Sequence, residues 1–285
     1  VQKALEGQQT LFSQNKFAGV MLATDLMRQV SYLSDNTIEQ TRRSAQAYRD
    51  ARDHLAPYKR VLDVYTSRWF GNAPGKAKKG ATAFDPTVAF LQSGFAVFAP
   101  NFRGSSNYGE AFRKKNTLAQ GVGDLDDVMT GIDELVRRGV ADPDKLGVMG
   151  WSYGGFLTGS TIAQTRRFKG ASVGAPTVDW AAYYGLFEGA REVLWTYFGG
   201  TPWEVPENYA RHSYWGKLKD ITTPTMLQIG ALDMNFTAPI YQALRDRGVP
   251  VENVVYPREG HGIGEGAHQR DLMERNLRWM ERWVR

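Results

Sequence analysis

From Val61 onward, short apolar runs alternate with amphipathic stretches, and this alternation constrains the fold more than any other feature. Val61–Tyr65, Phe95–Ala99, Leu146–Met149, Gly170–Gly174, Thr225–Ile229 and Val251–Tyr256 read as strands. They tend to be apolar in succession rather than at every second position, as strands covered on both faces are. Between them, Gly123–Arg138 spaces Leu125, Val128, Ile132, Leu135 and Val136 at helical intervals. Helices are also expected from Tyr153, over Ala238–Asp246 and over Gln269–Val284. The pattern predicts an α/β fold, a mostly parallel sheet covered by helices on both faces.

Residues 1–60 read differently, being rich in Gln, Ala, Arg and Leu. Thr37 and Gln40 form a capping box that opens a helix over Thr37–Ala56, and Pro57 stops it. Residues 11–33 also look helical, with Leu11, Phe12, Val20, Met21, Leu26, Met27 and Val30 on the apolar face. The expected division is a helical N-terminal segment over 1–60 and an α/β domain over 61–285. Because the chain opens on Val1 without a charged-then-apolar leader, it reads as a cut or mature piece.

Gly150-Trp151-Ser152-Tyr153-Gly154-Gly155 falls between a strand and a helix. In that setting Gly-x-Ser-x-Gly is a nucleophile elbow. Its glycines let strand and helix approach closely, and the serine hydroxyl stands at the helix start beside the Tyr153 amide, a donor for an oxyanion. Serine needs a base. Of the four His, His54 lies in an Arg-rich helix, His212 in an irregular aromatic stretch, and His268 reads as a solvated cap of the last helix. His261, in a Gly-flanked loop directly after the last strand, shares the sheet edge with Ser152. Asp233, after the Thr225–Ile229 strand, is the acid that would orient it. The order Ser152, Asp233, His261 is that of an α/β-hydrolase. Asp124, Asp126 and Asp127 read as charges at a helix N-terminus, and Arg103 as a structural ion-pair residue.

The stretch from about Phe84 to Arg285 resembles the catalytic domain of the prolyl oligopeptidase family, nearest its dipeptidyl-peptidase and acylaminoacyl-peptidase-like members. The matching pieces are Asn101-Phe102-Arg103-Gly104-Ser105-Ser106-Asn107-Tyr108-Gly109, Gly150 to Gly155, Phe198-Gly199-Gly200-Thr201-Pro202-Trp203-Glu204 and Tyr256 to Gly262. The resemblance implies Ser152 as nucleophile, Asp233 as acid and His261 as base. It also implies a phenol donor to the oxyanion at Tyr65, although Thr66-Ser67-Arg68-Trp69 replaces the family's Gly-Gly-Pro-like loop; a packed strand residue is the equal alternative. It places part of an apolar specificity pocket among Trp180, Tyr183, Tyr184, Trp195 and Tyr197, with Trp151 and Asn235 as further substrate contacts. The 83 residues ahead of Phe84 are too few for the family's β-propeller and read as helical.

The expected activity is hydrolysis of peptide bonds in short peptides through an acyl-enzyme. Alternatives are a carboxylesterase on small acyl esters, or a rebuilt, non-catalytic hydrolase scaffold. No Cys excludes a thiolate nucleophile or thiolate metal site, and no His/Asp/Glu spacing or phosphate-binding loop suggests a metal or cofactor. A net charge of +5, with Lys76-Ala77-Lys78-Lys79 as its densest basic run, argues against a nucleic-acid partner. No apolar run approaches the ~18 residues of a membrane span. A peptide or small acyl substrate is the expected partner, assembly with a second copy stays open, and the compartment is either cytoplasmic or reached by export after leader removal.

Overall fold

The computed structural model describes Gln46 and residues 86–285. The expected helical stretches over 11–33 and, Gln46 apart, 37–56, the Val61–Tyr65 strand and the division at residue 60 lie outside the described residues.

Among the described residues, strands β1 (Gly147–Trp151), β2 (Gly170–Gly174), β3 (Thr225–Gly230) and β4 (Val251–Tyr256) form one parallel sheet in that order. The register pairs Trp151 with Gly174, Gly174 with Gln228, and Gly230 with Tyr256. The carboxyl ends of the strands therefore lie together along one edge. A parallel pair needs a crossover, and helices supply it: α1 (Pro86–Gln92), α2 (Glu110–Lys114) and α3 (Gly123–Arg137) precede the sheet. Helix α4 (Tyr153–Ile162) joins β1 to β2. Helices α5 (Trp180–Leu186), α6 (Arg191–Phe198) and α7 (Pro206–His212) lie between β2 and β3, α8 (Thr237–Asp246) joins β3 to β4, and α9 (Gly266–Val284) follows.

The two faces of the sheet are chemically distinct because side chains alternate along a strand. Ala171, Val173 and Leu227 pack in one cluster with Phe156, Ile162, Ile240 and Leu244, all buried. On the other face, Ser172 donates to Asn276 of α9 at 2.5 Å, and Gln228 donates to the Tyr256 hydroxyl at 3.3 Å. Helix α9 buries Asn276, Trp279, Met280 and Val284, at i, i+3, i+4 and i+8, which make one stripe. Leu125 and Ile132 of α3 are buried as their spacing predicts. Full burial of a side chain such as Phe156 contributes roughly 1.5–3 kcal/mol, and its ring lies 4.7 Å from that of Trp180, centroid to centroid.

Phe95–Ala99, expected as a strand, is in no ladder. The backbone reason begins at its first residue. Gly94, at φ 83°, ends α1 in a left-handed turn, and the Phe95 amide donates back to the Phe90 carbonyl at 3.0 Å. Phe95 and Val97 pack instead against Phe90, Met280 and Val284, and no described strand runs alongside to pair with them.

Helix α4 meets the sheet glycine to glycine. A Cβ on Gly155, in the first turn of α4, would overlap the carbonyl oxygen of Gly174 at the end of β2. In an ordinary helix, Gly→Ala would stabilise by about 1 kcal/mol. Here the obstacle is backbone and cannot rotate away, so Gly155→Ala is expected to destabilise by roughly 1–3 kcal/mol. Urea unfolding of the pair of proteins measures it; an alanine variant as stable as the parent would mean the helix moves off the sheet freely.

Candidate active site

Ser152 sits between β1 and α4 at φ 60°, ψ −120°, a region L-residues rarely occupy. The conformation is held from both sides. Its amide donates to the Gly174 carbonyl at 3.0 Å, and its carbonyl accepts from the Phe156 amide at 2.9 Å. At Gly150 a Cβ would overlap the Gly154 backbone, so only glycine lets the strand leave at this angle. The serine hydroxyl consequently projects from the turn, beside the free amides that open α4, of which Tyr153 is first.

Asp233 lies three residues beyond β3 and His261 five beyond β4. Asp233 Oδ1 accepts from the Met234 amide at 2.8 Å, leaving Oδ2 for the imidazole. His261 Nδ1 is 2.8 Å from Asp233 Oδ2, and His261 Nε2 is 2.7 Å from Ser152 Oγ. With the proton on Nδ1, the ring donates to the carboxylate and accepts from the hydroxyl, a continuous proton path from Ser152. Asp233 is enclosed, at 9% side-chain exposure, whereas His261 is 55% exposed.

The Tyr153 side chain has partners that its position in the sequence did not reveal. Its hydroxyl donates to Asp124 Oδ2 at 2.6 Å and accepts from Asn116 Nδ2 at 2.9 Å. Asp124 stands in the first turn of α3, as expected of a helix-start charge, and is fully buried there. Burial pushes its pKa up, opposed by the bond from Tyr153 and by backbone amides. Burial also pushes the Tyr153 phenol up, with the Asp124 charge adding to it. Asp127 pairs with Arg103 through both oxygens, at 2.7 and 2.8 Å, so the expected ion-pair arginine is in place.

A cavity of about 350 Å³ opens against Ser152 and His261. Its walls include Trp180, Tyr183, Val193, Tyr197, Phe198 and Phe236, and among the described residues Asp233 is the single carboxylate on them. Of the predicted substrate contacts, Trp180, Tyr183 and Tyr197 line this cavity. The others stand elsewhere. Tyr184 packs edge-on against Trp203 and Tyr209, and Trp195 is half-exposed. Asn235 Oδ1 accepts from the Thr237 hydroxyl at 2.8 Å and the Ala238 amide at 3.2 Å, which helps to start α8. The Trp151 indole N–H donates to the His261 carbonyl at 2.8 Å. Tyr65 and His54 lie outside the described residues. His212 is buried against the Gln120 carbonyl, and burial pushes its pKa down. His268, expected as a solvated cap, is 17% exposed and bonds to Glu259.

Phe236, Met234 and Val193 on the cavity wall, and the Asp124–Tyr153–Asn116 cluster, were not foreseen. Only the run of acids at Asp124–Asp127 offered a signal, since a buried partner for one of them leaves no periodic trace. Glu259, Glu265 and His268 bring three potential metal-ligand atoms within 4.8 Å of one another. Those atoms are engaged: Glu259 accepts from two amides and His268, and Glu265 pairs with Arg258. Among the described residues, no helix is long and apolar enough to cross a membrane.

Comparison with known proteins gives one consistent answer. A family model described as "Prolyl oligopeptidase family" matches residues 82–285. The chain is 29% identical over 216 residues to the uncharacterized peptidase YuxL of Bacillus subtilis, covering 72% of this chain and 32% of that protein. It is 29% identical over 196 residues to the acylamino-acid-releasing enzyme of Arabidopsis thaliana, covering 64% and 25%. The solved structure of an uncomplexed acylaminoacyl peptidase from Pyrococcus horikoshii superposes with a TM-score of 0.62 at 26% identity, over 65% of this chain and 32% of that one. The chain thus spans about a third or less of the length of these relatives.

The buried Asp124–Tyr153 bond generates a prediction of defined sign. Tyr153→Phe removes a donor from a buried carboxylate, which should cost about 1–3 kcal/mol. The lost bond had held the Asp124 pKa down, so that pKa rises further in the variant. The penalty is therefore largest where Asp124 is ionised and shrinks as the pH falls and the carboxyl becomes protonated. Urea unfolding at a series of pH values reads this; a penalty independent of pH would mean that Asp124 is neutral throughout.

Proposed function

The chain belongs to the prolyl oligopeptidase family, and from that membership we propose that it hydrolyses peptide bonds in short peptides through Ser152, His261 and Asp233. One observation carries the reading: an unbroken hydrogen-bonded path from the Ser152 hydroxyl through His261 to an enclosed Asp233, opening on an apolar cavity.

Each atom has a task in this reaction. His261 Nε2 takes the Ser152 proton as Oγ attacks the scissile carbonyl. Asp233 holds the ring in the tautomer that leaves Nε2 free, and stabilises the imidazolium once it forms. The carbonyl oxygen becomes an oxyanion beside the Tyr153 amide, at the positive end of α4. A well-aimed donor of this kind contributes about 2.7–4 kcal/mol to the transition state. Tyr65 is the proposed second donor. His261 then returns the proton to the leaving amine, and water repeats the cycle on the acyl-enzyme. No step calls on a cofactor.

The cavity supports an apolar or aromatic side chain at the acyl side of the scissile bond. Trp180, Tyr183 and Phe236 offer flat faces, and among the described residues on the wall no Lys or Arg would compensate a substrate carboxylate facing Asp233. The names of the relatives, which include peptidases that release acylated amino acids and dipeptides, agree with short substrates. An ester would use the same atoms, so the assay must contain both bond types.

Ser152→Ala should lower turnover of an acylated Phe or Leu anilide by roughly 10⁴ to 10⁶, leaving the residue due to binding and the oxyanion donors. Activity within tenfold of the parent would sink the assignment. A panel of peptides, aminoacyl anilides and p-nitrophenyl esters measures the bond preference. Turnover of the esters alone would replace the peptidase reading by an esterase one.

A further inference from the structure

The base stands on a loop that packing does not hold. His261 is more than half exposed, and the five residues Gly260 to Gly264 include three glycines. Glycine carries the largest conformational freedom to be lost. A reactive imidazole displaced by about 1 Å can lose on the order of 10²-fold in rate. Something other than side-chain burial must fix this loop.

We infer that Glu259 is a positioning residue for the base, its buried carboxylate closing the loop that carries His261. The Glu259 residue is only 5% exposed. Oε2 accepts from the Gly264 amide at 2.7 Å, and Oε1 accepts from the Glu265 amide at 2.8 Å. The same Oε1 lies 2.8 Å from His268 Nδ1, on the first turn of α9. The carboxylate therefore spans the loop from its first residue to its last and fastens it to the helix that follows. The Glu259 backbone works outward in the other direction. Its carbonyl accepts from the Leu232 amide at 2.9 Å, next to Asp233, so one residue links the acid's loop to the base's loop. That approach requires Gly230, where a Cβ would overlap the Glu259 and Gly260 carbonyls. The Trp151 indole fastens the middle of the loop at the His261 carbonyl.

The chemistry asks for a carboxylate at this position and not for its amide. Both oxygens face N–H donors, and a glutamine would turn an NH₂ group toward one of them. The two amides, with His268, also hold the Glu259 pKa down to about 2. The group stays ionised wherever hydrolysis is measurable, and the clasp loosens only as the pH falls from the ordinary carboxylate range toward that value. These bonds also account for the cluster that resembles a cation site: its oxygen atoms are already satisfied by the loop.

The inference rests on His261 acting as the base of Ser152, and the test separates the two. The full chain and its Glu259→Gln and Glu259→Asp variants are compared by the labelling rate of Ser152 with a fluorophosphonate, corrected for the folded fraction by circular dichroism. A second readout is the imidazole Nδ1 proton in the NMR spectrum, assigned by its loss in Asp233→Asn. Glu259→Gln should label roughly 10- to 100-fold more slowly, with the Nδ1 proton broadened by faster exchange. Peptide hydrolysis should lose kcat with little change in KM. Glu259→Asp keeps the charge but is too short to reach both amides, and should fall between the two. If Glu259→Gln does not fold, the aspartate variant decides. Folded variants that label at the parent's rate with a sharp Nδ1 proton would overturn the positioning role. A parent that labels fast yet cleaves no peptide would leave that role standing and overturn the peptidase reading. A parent that does not label would overturn the base and its support together.

Discussion

Everything at the site depends on a single backbone torsion, the positive φ of Ser152. An L-residue accepts that torsion only when its surroundings leave no alternative. The surroundings here are glycines that remove the steric limit on approach between strand and helix. Gly150 lets the chain fold back on Gly154, and Gly155 lets α4 settle onto the end of β2. The Ser152 amide then finds the Gly174 carbonyl, and the turn is closed by ordinary hydrogen bonds. A reactive hydroxyl at a helix start thus follows from the absence of side chains around it.

The remaining members of the site are brought in by register. A parallel sheet sends every chain out of the same edge, and the pairings Trp151–Gly174 and Gly230–Tyr256 align the ends of the strands. Residues a few positions past β1, β3 and β4 can therefore meet although far apart in sequence. The two outer loops are bonded to each other before the imidazole enters the account, through the Leu232 amide and the Glu259 carbonyl. The aromatic wall of the cavity has another origin. Helices α5, α6 and α7 fill the long connection between β2 and β3, and their rings pack in series: Trp180 on Phe156, Phe198 on Trp180 and Tyr209 on Phe198.

Much of this was legible in the chain. Apolar runs separated by amphipathic stretches gave the parallel sheet, because burial on both faces leaves a mark in composition. Ser152, Asp233 and His261 stood out because each follows a strand and two are flanked by glycine. Phe95–Ala99 misled for a physical reason: its alternating exposure suits an extended chain, but a strand is defined by its neighbour, which no short run encodes. His268 was misread, and the burial of Asp124 left no sign, because a buried polar group is identified by its partner. Tyr153 lies 29 residues from Asp124, and Glu259 nine from His268, with no periodicity to connect them. Tyr184 and Trp195 show the same limit, since an aromatic ring in a rich stretch serves the core or the surface as readily as a cavity.

Trp151 carries a consequence for how such a chain can change over generations. Its ring lies where a side chain on Gly174 would have to go, and its indole N–H ends on the carbonyl of His261. A substitution at 174 would displace the tryptophan, and the displaced tryptophan would release the His261 loop. Positions 151 and 174 are thus coupled by shape, and through the indole the coupling reaches a main-chain carbonyl 110 residues away in sequence. A side chain at 174 is admitted only once the ring at 151 has become smaller, so the order in which the two positions change is fixed by shape even though neither lines the catalytic path.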